Sequence, residues 1–134
     1  MNTVERIVEI LKAHPKVRYE YRSDAVRVLA ADENGYEVAL LMHSEGNYTV
    51  CLATWHMEFN DEYSAVGTFL GGLTESYRLR VSSRGNEDYL WRIQYQEKGG
   101  WRDGSAVGIF NFKFWRREKI RYLQNHLLPP PKNG

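Results

Sequence analysis

The chain has a single cysteine, Cys51, in 134 residues, so no disulfide can form within it. That excludes a disulfide-stapled scaffold and fits a reducing compartment. Proline is scarce: Pro15 stands alone, and the other three, Pro129, Pro130 and Pro131, lie together near the end. No apolar run approaches the roughly 18 residues that a membrane-spanning helix needs. The opening residues Met1 to Leu11 interleave acidic and apolar side chains rather than forming a secretory apolar stretch. These absences predict a cytoplasmic protein with no membrane partner. Gly71-Gly72 and Gly99-Gly100 lack the spacing of phosphate-cradling loops, and His14, His43, His56 and His126 are scattered, with no H-E-x-x-H motif. No cofactor and no metal site is expected.

What the chain does carry is a division of charge. Residues 1–74 hold 6 Lys/Arg against 11 Asp/Glu, a net of −5, and residues 75–134 hold 12 against 6, a net of +6. The whole-chain value of +1 hides this. A near-neutral protein of this kind can still present a basic surface to an acidic partner, to nucleic acid or to its own other half.

Periodicity gives the elements. Val4, Ile7, Val8 and Leu11 recur at helical spacing, with Asn2 and Glu5 placed as a capping box and Pro15 as a stop. The period then falls to two. Runs around Val17 to Tyr21, Ala25 to Ala30, Tyr36 to Met42 and Tyr48 to Phe59 read as an antiparallel meander, turning at Asn34-Gly35 and at Ser44 to Asn47. Asn60-Asp61 opens a second helix along Tyr63, Val66, Phe69 and Leu70, which Gly71-Gly72 is expected to end in left-handed geometry. Gly67 within it suggests a close neighbour. Strands resume over Tyr77 to Val81, Tyr89 to Tyr95 and Ala106 to Trp115, the last with Phe110, Phe112 and Phe114 on one face. A third helix is predicted from Arg116 on the spacing of Ile120, Leu123 and Leu127.

The expected fold is α+β: one antiparallel sheet of about 6–8 strands with three helices packed mainly on one face. The order reads helix, about four strands, helix, about three strands, helix. Residues 1–134 read as a single domain, with 129–134 a disordered tail. This element order is similar to that of small secretion-chaperone-like domains, and the resemblance implies dimerisation and binding of other proteins.

Three sets of residues carry chemistry. His56, Glu58 and Asp61 place an imidazole near two carboxylates, which suits acid–base work or a small ligand. Cys51, in a strand-like run, reads as a core residue rather than a nucleophile. The Trp-Arg steps Trp91-Arg92, Trp101-Arg102 and Trp115-Arg116-Arg117 should aim rings at one face of a sheet and guanidinium groups at the other, with Arg78 and Arg80 in line with Arg92. Trp, Tyr and Arg dominate binding hot spots. A non-enzymatic module binding a protein partner or a second copy of itself is therefore the leading expectation, with single-stranded nucleic acid as an alternative. The third set is Arg116, Arg117, Lys119 and Arg121. Near a helix start they would oppose the macrodipole, which suits a partner in the acidic half such as Glu58, Asp61 or Glu62, or an external anion; the plainer reading is an ordinary solvated face.

Overall fold

The computed structural model describes residues 1–44, 46–111, 113 and 115–130. Helix α1 (Thr3–Lys12) begins as the sequence predicts: the Asn2 side chain accepts from the Glu5 amide and the Glu5 carboxylate accepts from the Asn2 amide, both at 2.9 Å. Its stripe of Val4, Ile7, Val8 and Leu11 is buried. Each such side chain stabilises the fold by about 1.5–3 kcal/mol.

Five strands follow as an antiparallel meander: β1 (Tyr19–Arg22), β2 (Ala25–Val28), β3 (Val38–Ser44), β4 (Asn47–Leu52) and β5 (Trp55–Phe59), in that spatial order. Val26, Val28, Val38, Leu40, Val50, Leu52 and Trp55 are buried on the face that meets the helices, while exposed Arg27 and His56 alternate to the other. The run read as one strand over Tyr48 to Phe59 is two. A turn at Ala53-Thr54 splits it, with Ala53 at φ 52° and Leu52 paired to Trp55.

Helix α2 (Glu62–Gly72) is capped by Asp61, whose carboxylate accepts from the Ser64 amide at 2.8 Å. It packs on β3 and β4. Its end differs from the expectation. The C-cap is Leu73 in right-handed geometry, and neither Gly71 nor Gly72 has positive φ. Their role is space: a Cβ on Gly71 would sit 2.5 Å from the Tyr77 ring, and one on Gly72 would sit 3.1 Å from Leu52. Gly67, where a close neighbour was expected, has nothing among the described residues within 4 Å of such an atom.

The second half forms a separate sheet, which overturns the single-sheet, three-helix expectation. Strands β6 (Tyr77–Arg84), β7 (Glu87–Glu97), β8 (Gly100–Gly108) and β9 (Glu118–Leu123) lie in the order β8-β7-β6-β9, all antiparallel. Among the described residues the fold is mostly β, with sheets of five and four strands and two helices. The predicted third helix is strand β9, which pairs Leu123 with Leu79 and Ile120 with Ser82. In a strand its leading cations meet no macrodipole, and β6 gains a second neighbour for its backbone groups. Trp101 lies in β8, next to Gly100 which opens it, and the strand expected over Ala106 to Trp115 stops at Gly108. The chain then passes the β6–β7 turn, where Lys113 meets Glu87 at 3.0 Å, to reach β9 on the far edge. Phe110 on this connection is exposed; Phe112 and Phe114, and residues 131–134 of the expected tail, lie outside the described residues.

One hydrophobic cluster joins both sheets. It contains Val28, Leu40, Leu52 and Phe69 from the first half and Leu79, Val81, Trp91 and Ile93 from the second. Trp55 ties them further, its indole N–H donating to the Ser105 carbonyl at 3.1 Å. No described helix is long and apolar enough to cross a membrane.

Candidate binding face on the second sheet

Alternation along β7 puts Trp91 in the core, 8% exposed, and turns Arg92 to the outer face, as the Trp-Arg pattern predicts. Trp101 breaks the pattern. Hairpin register sets it opposite Gln96, so its ring stands on the outer face with Arg92 rather than inside with Trp91. Arg102 turns the other way, 4.7 Å from the Tyr95 ring centre, and pairs with Glu97. The rings are thus divided between the faces, because the register of each strand, not the Trp-Arg dipeptide, decides which way a side chain points. Trp115, Arg116 and Arg117 lie exposed on the connection before β9.

The outer face carries one organised group. The guanidinium of Arg78 on β6 lies between two rings, its carbon 4.2 Å from the centre of Trp101 on β8 and 4.0 Å from that of Tyr122 on β9. Arg78 Nε donates to Gln94 Oε1 on β7 at 2.7 Å, and Gln94 Nε2 donates to Asp103 Oδ1 on β8 at 2.7 Å. All four strands therefore contribute. The cation faces two π-systems, and the Gln94 amide is fixed by a donor on one side and an acceptor on the other. One row along, Arg80 and Arg92 stand directly opposite each other, and Arg92 Nη1 donates to the Gly104 carbonyl at 2.8 Å.

Electrostatics set this face apart. Every ion pair among the described residues joins two residues of the same half of the chain. Arg121 pairs with Asp88 at 2.5 Å, which holds the Asp88 carboxyl below its ordinary value, rather than with Glu58, Asp61 or Glu62. Glu62 instead takes Arg6 at 2.7 Å and a bond from the Thr3 hydroxyl, and these lower its own pKa. Among the described residues no carboxylate lies within ion-pair distance of Arg78, Arg80 or Arg92.

His56, Glu58 and Asp61 are not brought together by any hydrogen bond or ion pair. His56 Nδ1 lies 3.1 Å from the Thr54 carbonyl, exposed Glu58 stands opposite Thr49, and Asp61 is spent on the helix cap. Cys51 faces His56 across β4 and β5, yet burial pushes its thiol pKa up, which keeps it protonated. No group of three or more His, Cys, Asp or Glu among the described residues is arranged to hold a metal ion.

Sequence reasoning found Arg78, Arg80 and Arg92 by their alternation but missed Tyr122, which it placed on a helix, and Gln94. The available signal was the alternation Ile120, Tyr122 against Arg121, Leu123. Comparison with family models, with curated proteins and with solved structures finds no match to this chain. The likeness to secretion chaperones rested on an element order that ends in a helix, and it goes with that helix.

Proposed function

We propose that the chain is a non-enzymatic binding module, one domain over residues 1–134, that holds a protein partner on the outer face of its second sheet. The observation that carries this reading is the Trp101–Arg78–Tyr122 stack. Trp, Tyr and Arg are the residue types that concentrate binding energy. Here the guanidinium and both rings are already ordered, so less side-chain entropy is lost on contact. Tyr122 remains 48% exposed and able to meet a partner. The hydrophobic cluster common to both sheets favours one domain. A cytoplasmic setting suits the lone Cys51.

The test uses the full chain as bait for affinity capture, with sedimentation to detect self-association. Trp101→Ala and Arg78→Gln should each keep the circular dichroism spectrum and lose the captured protein or the dimer. Capture and sedimentation unchanged in both variants would overturn the reading.

A further inference from the structure

Building on that reading, we propose that the partner docks through an acidic peptide segment, with one carboxylate seated between Arg80 and Arg92. Like charges directly opposite on an antiparallel pair oppose folding. Arg80 and Arg92 are such a pair, and the Gly104 carbonyl that anchors Arg92 fixes its position without neutralising it. Arg78 adds a third guanidinium in the next row, held by its two rings. An arriving carboxylate removes the repulsion and accepts charge-assisted bonds in forked geometry.

Spacing favours an extended segment. Arg78 and Arg80 are two residues apart on β6, so their roots are separated by about 6.8 Å along the strand, the same interval that separates alternate side chains of an extended peptide. Acidic residues at alternate positions would meet both.

The same face disfavours single-stranded nucleic acid. Asp103 stands on it, hydrogen-bonded to Gln94, where an unbroken row of phosphates would meet its carboxylate. Discrete carboxylates can step past. Both rings already have a guanidinium against one side, so neither is an open platform for bases on both faces. The net charge of the chain is only +1, with a sequence pI of 7.9, whereas nucleic-acid domains often have a pI above about 9.

The experiment is a fluorescence-anisotropy titration with labelled hexaglutamate, hexaglutamine and a short oligothymidine. Hexaglutamate should bind, hexaglutamine should not, and binding should weaken as salt rises from about 50 to about 300 mM. The Arg80→Gln/Arg92→Gln double variant should bind hexaglutamate at least about tenfold more weakly, the loss of two charge-assisted bonds. Arg80→Gln alone, which leaves the Arg92–Gly104 bond in place, should melt no lower than wild type, because the repulsion is gone; a purely structural role for Arg80 would lower the melting temperature instead. No hexaglutamate binding, equal binding by the double variant, or tighter binding of oligothymidine would each overturn the inference. If hexaglutamate fails while Trp101→Ala still abolishes partner capture, the acidic-segment inference falls and the binding-module reading stands.

Discussion

Asn125 grips the backbone of Tyr36 at both ends: its Oδ1 accepts from the Tyr36 amide at 3.1 Å and its Nδ2 donates to the Tyr36 carbonyl at 3.0 Å. The same Nδ2 donates to the Gly72 carbonyl at 2.9 Å. One buried side chain thus joins the segment after β9, the approach to β3 and the end of α2. Removing it leaves three backbone groups without this partner. Asn125→Ala should cost about 3 kcal/mol or more, since each of the three orphaned buried polar groups costs about 1–3. Urea denaturation measures this. A loss below about 1 kcal/mol would show that solvent reaches the site and satisfies those groups.

Tyr36 itself carries the opposite problem. It is 2% exposed and its hydroxyl has no hydrogen-bond partner among the described residues. Burial, with a smaller contribution from Tyr77, pushes its pKa far above the ordinary phenol value. The sign follows from linkage. The raised folded value means its contribution is complete below the unfolded phenol's pKa of about 10 and is lost as pH climbs beyond it, because only the unfolded chain can ionise there. Tyr36→Phe should leave stability at pH 7 unchanged or raise it by up to about 1 kcal/mol, by deleting an unsatisfied hydroxyl. It should also flatten the alkaline loss. Tyr77 and Tyr95, likewise raised by burial, leave part of that slope in place. Thermal melts of both proteins between neutral and alkaline pH separate the two. An alkaline slope identical in the variant would mean that Tyr36 ionises in the folded state.

The first half was legible because β2, β3 and β4 each bury one face and pair with neighbours adjacent in sequence. Val26 and Val28, Val38 and Leu40, Val50 and Leu52 announce themselves by period two, and local turns fix their pairing. The second half was less so. Ile120, Leu123 and Leu127 fit helical spacing, and nothing local reveals that β6, some 40 residues earlier, offers an unpaired edge. Membership of one sheet or two is also non-local: β5 and β6 are consecutive strands, yet α2 intervenes and they end in different sheets. The three arginines of the candidate face were visible because alternation is local. Their aromatic sandwich was not, because Trp101 and Tyr122 arrive from strands on opposite edges of the sheet.

Two glycines of α2 should respond in opposite directions to the same change. At Gly67 nothing among the described residues lies within 4 Å of an added Cβ, so Gly67→Ala meets only the intrinsic helix preference and should stabilise by about 0.5–1 kcal/mol. At Gly71 the added carbon would lie 2.5 Å from the Tyr77 ring, which stacks edge-on against Tyr95 at 4.9 Å. That ring cannot yield freely, and Gly71→Ala should cost about 1–3 kcal/mol as an overpacked contact. Calorimetry of the pair checks the contrast. Two shifts of the same sign would contradict the packing of α2 against Tyr77.

The Ala53-Thr54 turn concealed a boundary because it lacks the residue its geometry favours. Ala53 has φ 52°, and it is the only non-glycine with positive φ among the described residues. Positive φ at the first of two central hairpin residues is the pattern of a type II′ turn, where glycine is preferred. A Cβ in the left-handed region costs about 1–2 kcal/mol. Here that cost is borne because β4 and β5 must keep their register for Leu52 and Trp55 to reach the core, and because the Ala53 amide donates to the Glu37 carbonyl at 2.9 Å. Ala53→Gly should therefore stabilise the protein by about 1 kcal/mol, with relief of the strained backbone outweighing the added freedom of the unfolded chain. Ala53→Pro should do the reverse and more. Its ring fixes φ near −65° and removes the amide hydrogen that Glu37 receives, so a cost of about 3 kcal/mol or more is expected. Denaturant midpoints of the two variants against wild type decide the matter. An Ala53→Gly protein less stable than its parent would mean that the turn does not hold its left-handed residue in solution.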